Sequence, residues 1–493
     1  MTTFRDDGPD PTAMMSGDAP IPTPPETDRA AETAPGVEPQ PAADPAGDPS
    51  QSPAEVAEFT DIANARRFAR LHGERVRFVE SWKQWIVWND GQWHRDPTIV
   101  RVMELAKDIP QAMFNDGLRT GNGDLTKAAQ QLSSRRCLSD MLQLSRGPAL
   151  IGHEELDADH WALGVRNGWF DLHDGTHHPP DPAKLITMTC PVGYDPDARC
   201  PRWLQALGEW MPDPTVQSYF QRLVGEALVG TVRDHLLVVI YGPGGNGKGT
   251  AIGTLAKLLG PYFTVPHKSL LVREKQDSHP TNIAGLFRTR LAVASETDSG
   301  ARLSEEQIKN LTGGDRLTAR RMYENFWDFD PTHSLWLQTN YLPNVDGTDE
   351  GIWRRLRVLK WPAQFLGAKA DHDLSARLEA ELPGILNWAI EGCLAWQTEG
   401  LAEPDAVRAE TDAYRRSEDM LQQWVGDEGW MLSAGLTTTG KDLTDSWAEW
   451  TERIHGRRRS GQEMAQRLTV AGVKKIPGRP VIWKGIGRLD FDE

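Results

Sequence analysis

Cysteine is scarce in this chain. Cys137, Cys190, Cys200 and Cys393 are the only four in 493 residues, and they lie far apart with no C-x-x-C pair. That excludes a disulfide-built scaffold; they read as reduced core or surface thiols of a cytoplasmic protein. Cys190 and Cys200 with His177 and His178 have poor spacing for zinc. Long apolar runs are missing too: none reaches the roughly 20 residues that span a bilayer, so no membrane partner is expected. Met1-Thr2-Thr3-Phe4-Arg5 leads into acidic, proline-rich sequence and not into the apolar core of an export signal. Positive charge is in deficit, with 54 Lys and Arg against 70 Asp and Glu and a net charge of −16. On average this argues against a nucleic-acid partner, but the charges are segregated. Glu452 to Arg488 holds ten Lys/Arg and two acids, while the first 60 residues are strongly acidic. The distribution therefore says more than the sum.

Residues 1 to about 57 hold twelve prolines and almost no aromatics. Such a stretch cannot bury enough apolar surface to offset its ordering entropy, and it is predicted to be a disordered tail. The length of the chain predicts about three domains. Order is expected from Phe59, with Thr60 capping a helix through Phe68. Arg77-Phe78-Val79 and Trp85-Ile86-Val87-Trp88 read as strands, the second ending in the turn Asn89-Asp90-Gly91. Residues 98 to 148 are helix-rich, and Asn167 to Leu172 opens a second short β segment. Asp157, Asp159, Asp171 and Asp174 read as turn residues and not as paired metal carboxylates. A helical stretch is predicted from Pro201 to Leu228, and another from about 364 to 400 that breaks at Pro383-Gly384.

The most informative run starts at Leu236-Leu237-Val238-Val239-Ile240-Tyr241, a continuous apolar strand of the kind buried on both faces. Gly242-Pro243-Gly244-Gly245-Asn246-Gly247-Lys248-Gly249-Thr250 follows, and Ala251 to Leu259 is helical in spacing. Strand, glycine turn, lysine and helix predict a nucleoside-triphosphate cradle: converging N–H groups, one mobile positive charge and the helix dipole all face an anion. One position departs from G-x-x-x-x-G-K-[ST]. Gly249 stands where a Mg²⁺-binding hydroxyl is usual, and Thr250 brings that hydroxyl one residue later.

A second strand, Arg290 to Glu296, ends in an acid where Mg²⁺ and an attacking water are managed in such sheets. Ser295 sits where many ATPases have a first acid, leaving Glu296 to orient water, with Asp298 the weaker candidate. A third strand, Ser334 to Thr339, ends at Asn340, a candidate for touching the γ-phosphate or the lytic water. Arg354 and Arg355 follow in Trp353-Arg354-Arg355-Leu356-Arg357. Near the C-terminus, Trp447, Trp450 and Ile454 lie on a predicted helix ending in His455-Gly456-Arg457-Arg458-Arg459. Ser460 caps a further helix through Val470, and Val481 to Ile486 is strand-like. Helices followed by a basic β-ribbon carrying Lys474 and Lys475 fit a winged-helix-like DNA-binding module.

Together these segments resemble the superfamily 3 helicases, specifically the phage/plasmid primase family that shares its helicase part with poxvirus-type primase–helicases. The resemblance rests on the glycine loop, Arg290 to Glu296, Ile308-Lys309-Asn310-Leu311-Thr312-Gly313-Gly314-Asp315 through Arg320, Phe329 to Pro343, and Trp353-Arg354-Arg355. It covers roughly 59 to 362 and, more weakly, 415 to 490. It implies an α/β fold with a P-loop (AAA+-like) helicase core and parallel sheet at 231–400. A mixed N-terminal region at 58–150, a helicase-preceding domain at 151–230 and the winged-helix-like module at 415–493 complete it. By resemblance Lys248 binds the β/γ-phosphates, Glu296 is the Walker B acid, and Asn340 is the sensor. Arg354 or Arg355 is the finger supplied in trans, and Thr250 and Glu296 hold Mg²⁺. Lys309, Arg320 and Arg321 belong to the segment leading into a DNA-contacting hairpin, and Arg457, Arg458, Arg459, Lys474 and Lys475 are the candidate duplex contacts. The expected protein is an ATP- or NTP-driven replicative helicase of a phage or integrated element. It would act as a homohexameric ring on single-stranded and forked DNA with other replication proteins, in the cytoplasm of a bacterial host. Longer relatives carry an N-terminal primase domain, for which residues 59 to 150 leave no room and show no D-x-D plus histidine set. The rival readings are a primase–helicase primed from that region and a non-enzymatic ATP-switch loader.

Overall fold

The computed structural model describes residues 59–273, 280–295, 301–320, 325–345, 350–367 and 370–488. The predicted tail, Glu296, Asp298 and Arg321 lie outside these described residues. Thr60 Oγ1 accepts the N–H of Ala63 and opens α1 (Asp61–His72), as its position predicts. β1 (Val76–Val79), β2 (Gln84–Asn89) and β3 (Gln92–Asp96) pair antiparallel. They are followed by α2 (Val100–Ala106), α3 (Asp108–Thr120), α4 (Gly123–Leu132) and α5 (Arg135–Leu144). β4 (Leu150–Ile151) then joins β1 in parallel, giving the order β3-β2-β1-β4. Strand alternation sends Val76, Phe78, Trp85 and Val87 to the helical side, where Phe68, Val102 and Met141 bury them.

A smaller antiparallel sheet follows, β5 (Ala162–Val165), β6 (Gly168–Asp171) and β7 (Thr176–His178). The helical stretch expected from 201 to 228 is two helices, α6 (Pro201–Trp210) and α7 (Pro214–Leu228). The chain breaks between them because the Asp213 carboxylate caps α7 through the N–H of Thr215 and Pro214 occupies its first turn.

The central sheet is built from β8 (Leu237–Tyr241), β9 (Phe263–Thr264), β10 (Leu291–Ser295), β13 (Ser334–Thr339) and β14 (Leu356–Lys360). Between them run α8 (Lys248–Leu259), α9 (Pro280–Ala284), α10 (Glu305–Thr312), the hairpin β11 (Leu317–Ala319) and β12 (Trp327–Phe329), and α11 (Glu350–Trp353). Every pairing in the five-stranded sheet is parallel, and its order is β14-β8-β13-β10-β9. Both faces are covered, which explains why β8 is apolar throughout. Val238 and Ile240 pack with α8 and α7, whereas Leu237 and Val239 pack with α10 and the hairpin.

On the first face, tryptophans bind the preceding helices to the sheet. Trp203 meets Trp210 at 5.8 Å and Trp388 at 5.4 Å between ring centres, and Phe220 meets Trp361 at 5.6 Å. Trp388 belongs to α13 (Leu382–Glu399), which follows α12 (Leu374–Ala380) and precedes α14 (Asp405–Glu418). The break expected at Pro383-Gly384 falls earlier, at Glu381. Pro383 sits in the first turn of α13, where its missing N–H costs nothing, and the Glu381 carboxylate accepts the N–H groups of Arg202 and Trp203.

The last module runs α15 (Met420–Asp427), β15 (Met431–Thr439), α16 (Gly440–His455), α17 (Gly461–Val470), β16 (Lys474–Ile476) and β17 (Ile482–Gly487). Its antiparallel sheet has the order β15-β17-β16 and closes over Trp424, Trp447, Trp450 and Trp483. The strand β15 went unread in the sequence because most of it is exposed and lacks an apolar run.

Candidate functional site

The site forms where two adjacent parallel strands end together. β8 and β13 pair from Leu237↔Leu335 to Tyr241↔Thr339, so the loop after β8 and the residue after β13 emerge side by side. Lys248, the first residue of α8, folds back into the loop. Its Nζ donates to Gly242 O at 2.6 Å, to Pro243 O at 3.2 Å and to Asn340 Oδ1 at 3.1 Å. The residue is 3% exposed, and burial pulls its pKa below the usual lysine value. Two candidates 92 positions apart in sequence thus meet directly.

The loop is held from outside. Asn246 Nδ2 donates to Trp361 O at 3.1 Å, Trp361 N–H to Tyr241 O at 2.7 Å, and Phe365 N–H to Gly245 O at 2.7 Å. Gly247 caps α8 with φ +85°, and a Cβ there would lie 2.1 Å from Trp210 Nε1. Glycine is therefore required by both backbone and packing. Gly244 has open space around it, and a Cβ at Gly249 would meet only Gln338 Nε2, at 3.9 Å, which leaves bare backbone exposed in the loop and at the start of α8. Thr250 is half-buried beside Gly249. Bare N–H groups, a helix N-terminus and one buried ammonium are a donor set suited to an oxyanion.

Arg354 and Arg355 lie at the other end of the sheet. Leu356 pairs with Leu237 and Lys360 with Tyr241, so the two arginines stand a strand's length, about 13 Å at ~3.3 Å per residue, below their own chain's loop. Arg354 is exposed, while Arg355 Nη1 donates to Gly351 O at 2.8 Å. Lys309 is half-buried in the last turn of α10, the helix that precedes the hairpin. Arg320 lies at the hairpin's loop with its guanidinium 4.9 Å from the ring centre of Phe326, a residue 58% exposed that sequence reading passed over. In the C-terminal module Arg457, Arg458, Lys474 and Lys475 are exposed, Arg458 pairing with Glu452 at 3.1 Å. Arg459 differs, being turned inward with its Nη1 2.5 Å from Glu463 Oε1.

Three of the four early aspartates are turn residues: Asp159, Asp171 and Asp174 each accept the N–H two residues on. Asp157 corrects the fourth reading. It accepts from Thr187 and Met188 and pairs with buried Arg288 at 3.0 Å, tying the preceding domain to the central sheet. Arg290 does the same, donating to Leu228 O and Ala162 O while lying 4.7 Å over Tyr262. No local pattern announced either tie, since both partners are more than 60 residues away.

Fold and site together define a mixed α/β protein whose parallel sheet carries an oxyanion-suited loop at its C-terminal edge. A family model described as D5 N-terminal-like matches residues 65–212, and one described as a family of unknown function matches 240–355. Acanthamoeba polyphaga mimivirus has a helicase-named relative, L207/L206, 25% identical over 68% of this chain and 37% of its own length. A helicase-named protein of frog virus 3, 022R, is 27% identical over 55% of this chain and 30% of that one. The primase-named C962R of African swine fever virus is 23% identical over 67% and 38%. The chain thus spans well under half the length of these relatives. Among solved structures, the apo C-terminal region of NrS-1 aligns with 87% of this chain and 99% of that one at 11% identity and a TM-score of 0.48. The chain is similar, over part of their length, to viral proteins named as helicases and primases. Among the described residues no helix is long and apolar enough to cross a membrane.

Proposed function

We propose that the chain is a nucleoside-triphosphate-driven DNA helicase of superfamily 3, built on a P-loop core and acting as a homohexameric ring in the replication of a phage or integrated element. The observation that carries this reading is the meeting of Lys248 Nζ with Asn340 at the end of the glycine loop. A cation and an amide converge there on the place a γ-phosphate occupies when its chain of phosphates lies along the loop. Lys248 holds β- and γ-oxygens, Asn340 positions the attacking water, and Glu296 activates it. Thr250 and Glu296 would hold a Mg²⁺ ion, which would supply neutralisation of phosphate charge. Arg354 completes a neighbouring subunit's site, since it is exposed and too far from its own.

Single-stranded DNA is gripped by Lys309 on α10, by Arg320 at the hairpin, where Phe326 adds a stacking face, and by Arg321, which follows it in sequence. The C-terminal elements have the helix–strand–helix–helix–strand–strand order of a winged helix. This module engages duplex or origin DNA through Arg457, Arg458, Lys474 and Lys475. The primase names of some relatives favour one second reading, in which residues 59 to 150 serve priming. Strand displacement on forked DNA with 3′ and 5′ tails tests the helicase. ATP-dependent unwinding by wild type and none by Lys248→Ala supports it, template-dependent primer synthesis supports the rival, and nucleotide binding without turnover supports a loader.

A further inference from the structure

Beside the loop lies a cavity of about 190 Å³, walled by Thr250 and the loop glycines on one side and by Glu209, Trp210, Phe365, Asp371 and Leu374 on the other. Lys248 and Asn340 are not among its lining residues. A polyphosphate laid along the loop has two ends. The pair Lys248–Asn340 marks one of them, so whatever is attached to the other enters this cavity.

The wall has a definite chemistry. Arg202 grips Glu209 with two parallel bonds, Nη1 to Oε1 at 3.3 Å and Nη2 to Oε2 at 3.1 Å, and its Nη2 lies 3.6 Å from Asp371 Oδ2. Arg377 holds the same Asp371 from its other side. The Arg202 side chain is 16% exposed, so this network is fixed in place and not a mobile surface pairing. It presents to the cavity two arginine-paired carboxylates, groups that accept hydrogen bonds. Vicinal hydroxyls of a sugar are matching donors. Phe365, fastened to the loop through Gly245, offers an aromatic face for a base.

We infer that this cavity receives the nucleoside of the bound triphosphate, and that Glu209 and Asp371 accept from the ribose hydroxyls, so the site prefers ribonucleotides to 2′-deoxyribonucleotides. The inference rests on the nucleotide-binding reading of the loop and extends it. It also gives the preceding segment a direct part in the site. Arg202, Glu209 and Trp210 stand on α6, inside the D5 N-terminal-like match and ahead of the central sheet.

The test compares the affinities of ATP, dATP and inorganic triphosphate for the full chain with Mg²⁺ present, by titration calorimetry. Wild type is expected to bind ATP about tenfold tighter than dATP, the worth of one hydrogen bond to a charged acceptor. Asp371→Asn and Glu209→Gln should each move that ratio toward one while leaving the affinity for inorganic triphosphate unchanged. Should Glu209→Gln melt early for want of a partner for Arg202, Asp371→Asn, which leaves the two-bond Arg202–Glu209 pair in place, carries the test alone. Equal affinities for ATP and dATP in wild type, or a ratio that survives both substitutions, overturns the inference. The underlying reading fails separately, if Lys248→Ala binds inorganic triphosphate and ATP as wild type does.

Discussion

The two ends of the central sheet make an instructive pair, because each carries buried polar groups with displaced pKa values. At the C-terminal edge, buried Lys248 sits beside bare loop backbone and a cavity of about 190 Å³. At the N-terminal edge, Glu226, Asp234, His333 and Ser334 surround a space of only about 10 Å³, roughly what one water molecule needs. Glu226 is 6% exposed, and burial with the nearby Asp234 charge raises its pKa to about 8 against the opposing bond from Ser334. His333 is 2% exposed, and burial lowers its pKa to about 4. One edge keeps a buried ammonium beside bare loop backbone; at the other, burial favours the neutral forms of Glu226 and His333. Perturbed titration alone therefore does not single out the proposed nucleotide site. What the other edge lacks is the open space lined by Thr250 and the loop glycines.

The sharpest way to break this contrast is Lys248→Ala. Hydrolysis should disappear, while melting changes little, because the ammonium contacts loop carbonyls and Asn340 and fills no apolar core. A thermal melt beside a phosphate-release assay decides it, and an undiminished rate in a stably folded variant would sink the site. Next comes Arg354→Ala, at the opposite edge of the sheet. A finger acting in trans is worth roughly 10³–10⁵ in rate, so this variant should be nearly inactive alone. Mixing it with Lys248→Ala should restore part of the activity at mixed interfaces. Absence of rescue between co-assembled variants would make Arg354 a residue of its own subunit.

The closed edge predicts a smaller effect, on stability and not on rate. Between the ordinary carboxyl value of 4.5 and about 8, folded Glu226 keeps a proton that the unfolded chain has released. Its contribution is greatest below pH 4.5, declines as pH rises through that window and is lost above pH 8. At about 1.4 kcal/mol per pKa unit the decline amounts to a few kcal/mol. Glu226→Gln should flatten it, so that melting temperature falls less between pH 5 and pH 9 than in wild type. Equal slopes would mean that Glu226 is ionised in the fold.

The smallest expected effect lies in the C-terminal module. Lys474→Ala with Lys475→Ala should lower duplex affinity and reduce its salt dependence by roughly 0.9 log units per lost phosphate contact for each log unit of salt. Hydrolysis should be untouched. For a full truncation the cut belongs at Met420, because α14 runs to Glu418, whose carboxylate accepts the N–H of Val345, and Tyr414 packs on Trp353. An unchanged salt slope would leave these lysines a solvated face.

Local patterns made much of the molecule legible. The apolar run at 237–241, the glycine turn and the helix behind it are three signals of different period in sequence contact, and they describe one strand–loop–helix unit without help from the rest of the chain. Thr60 and Ser460 announced their helices in the same way, since a cap is made within three residues of itself. The continuous apolar run of β8 read as a strand buried on both faces, whereas the parallel sheet as a whole was implied by the resemblance.

Strand order and register were decided by tertiary packing, and with them everything that depends on which ends are neighbours. Register places Asn340 on Lys248 and removes Arg354 from it. Packing over 178 residues lets Glu381 cap α6, and the tryptophans between α6 and the sheet set Trp210 against Gly247. The wall of Glu209, Arg202 and Asp371 beside the loop joins residues whose sequence neighbours carry no hint of one another. By itself the sequence determined the strand–loop–helix unit, most of the capped helices and which residue types meet an anion, because those depend on contacts a few residues long. Only the tertiary structure decided which charges share a cavity, because burial and distance between remote segments are properties of the packed chain.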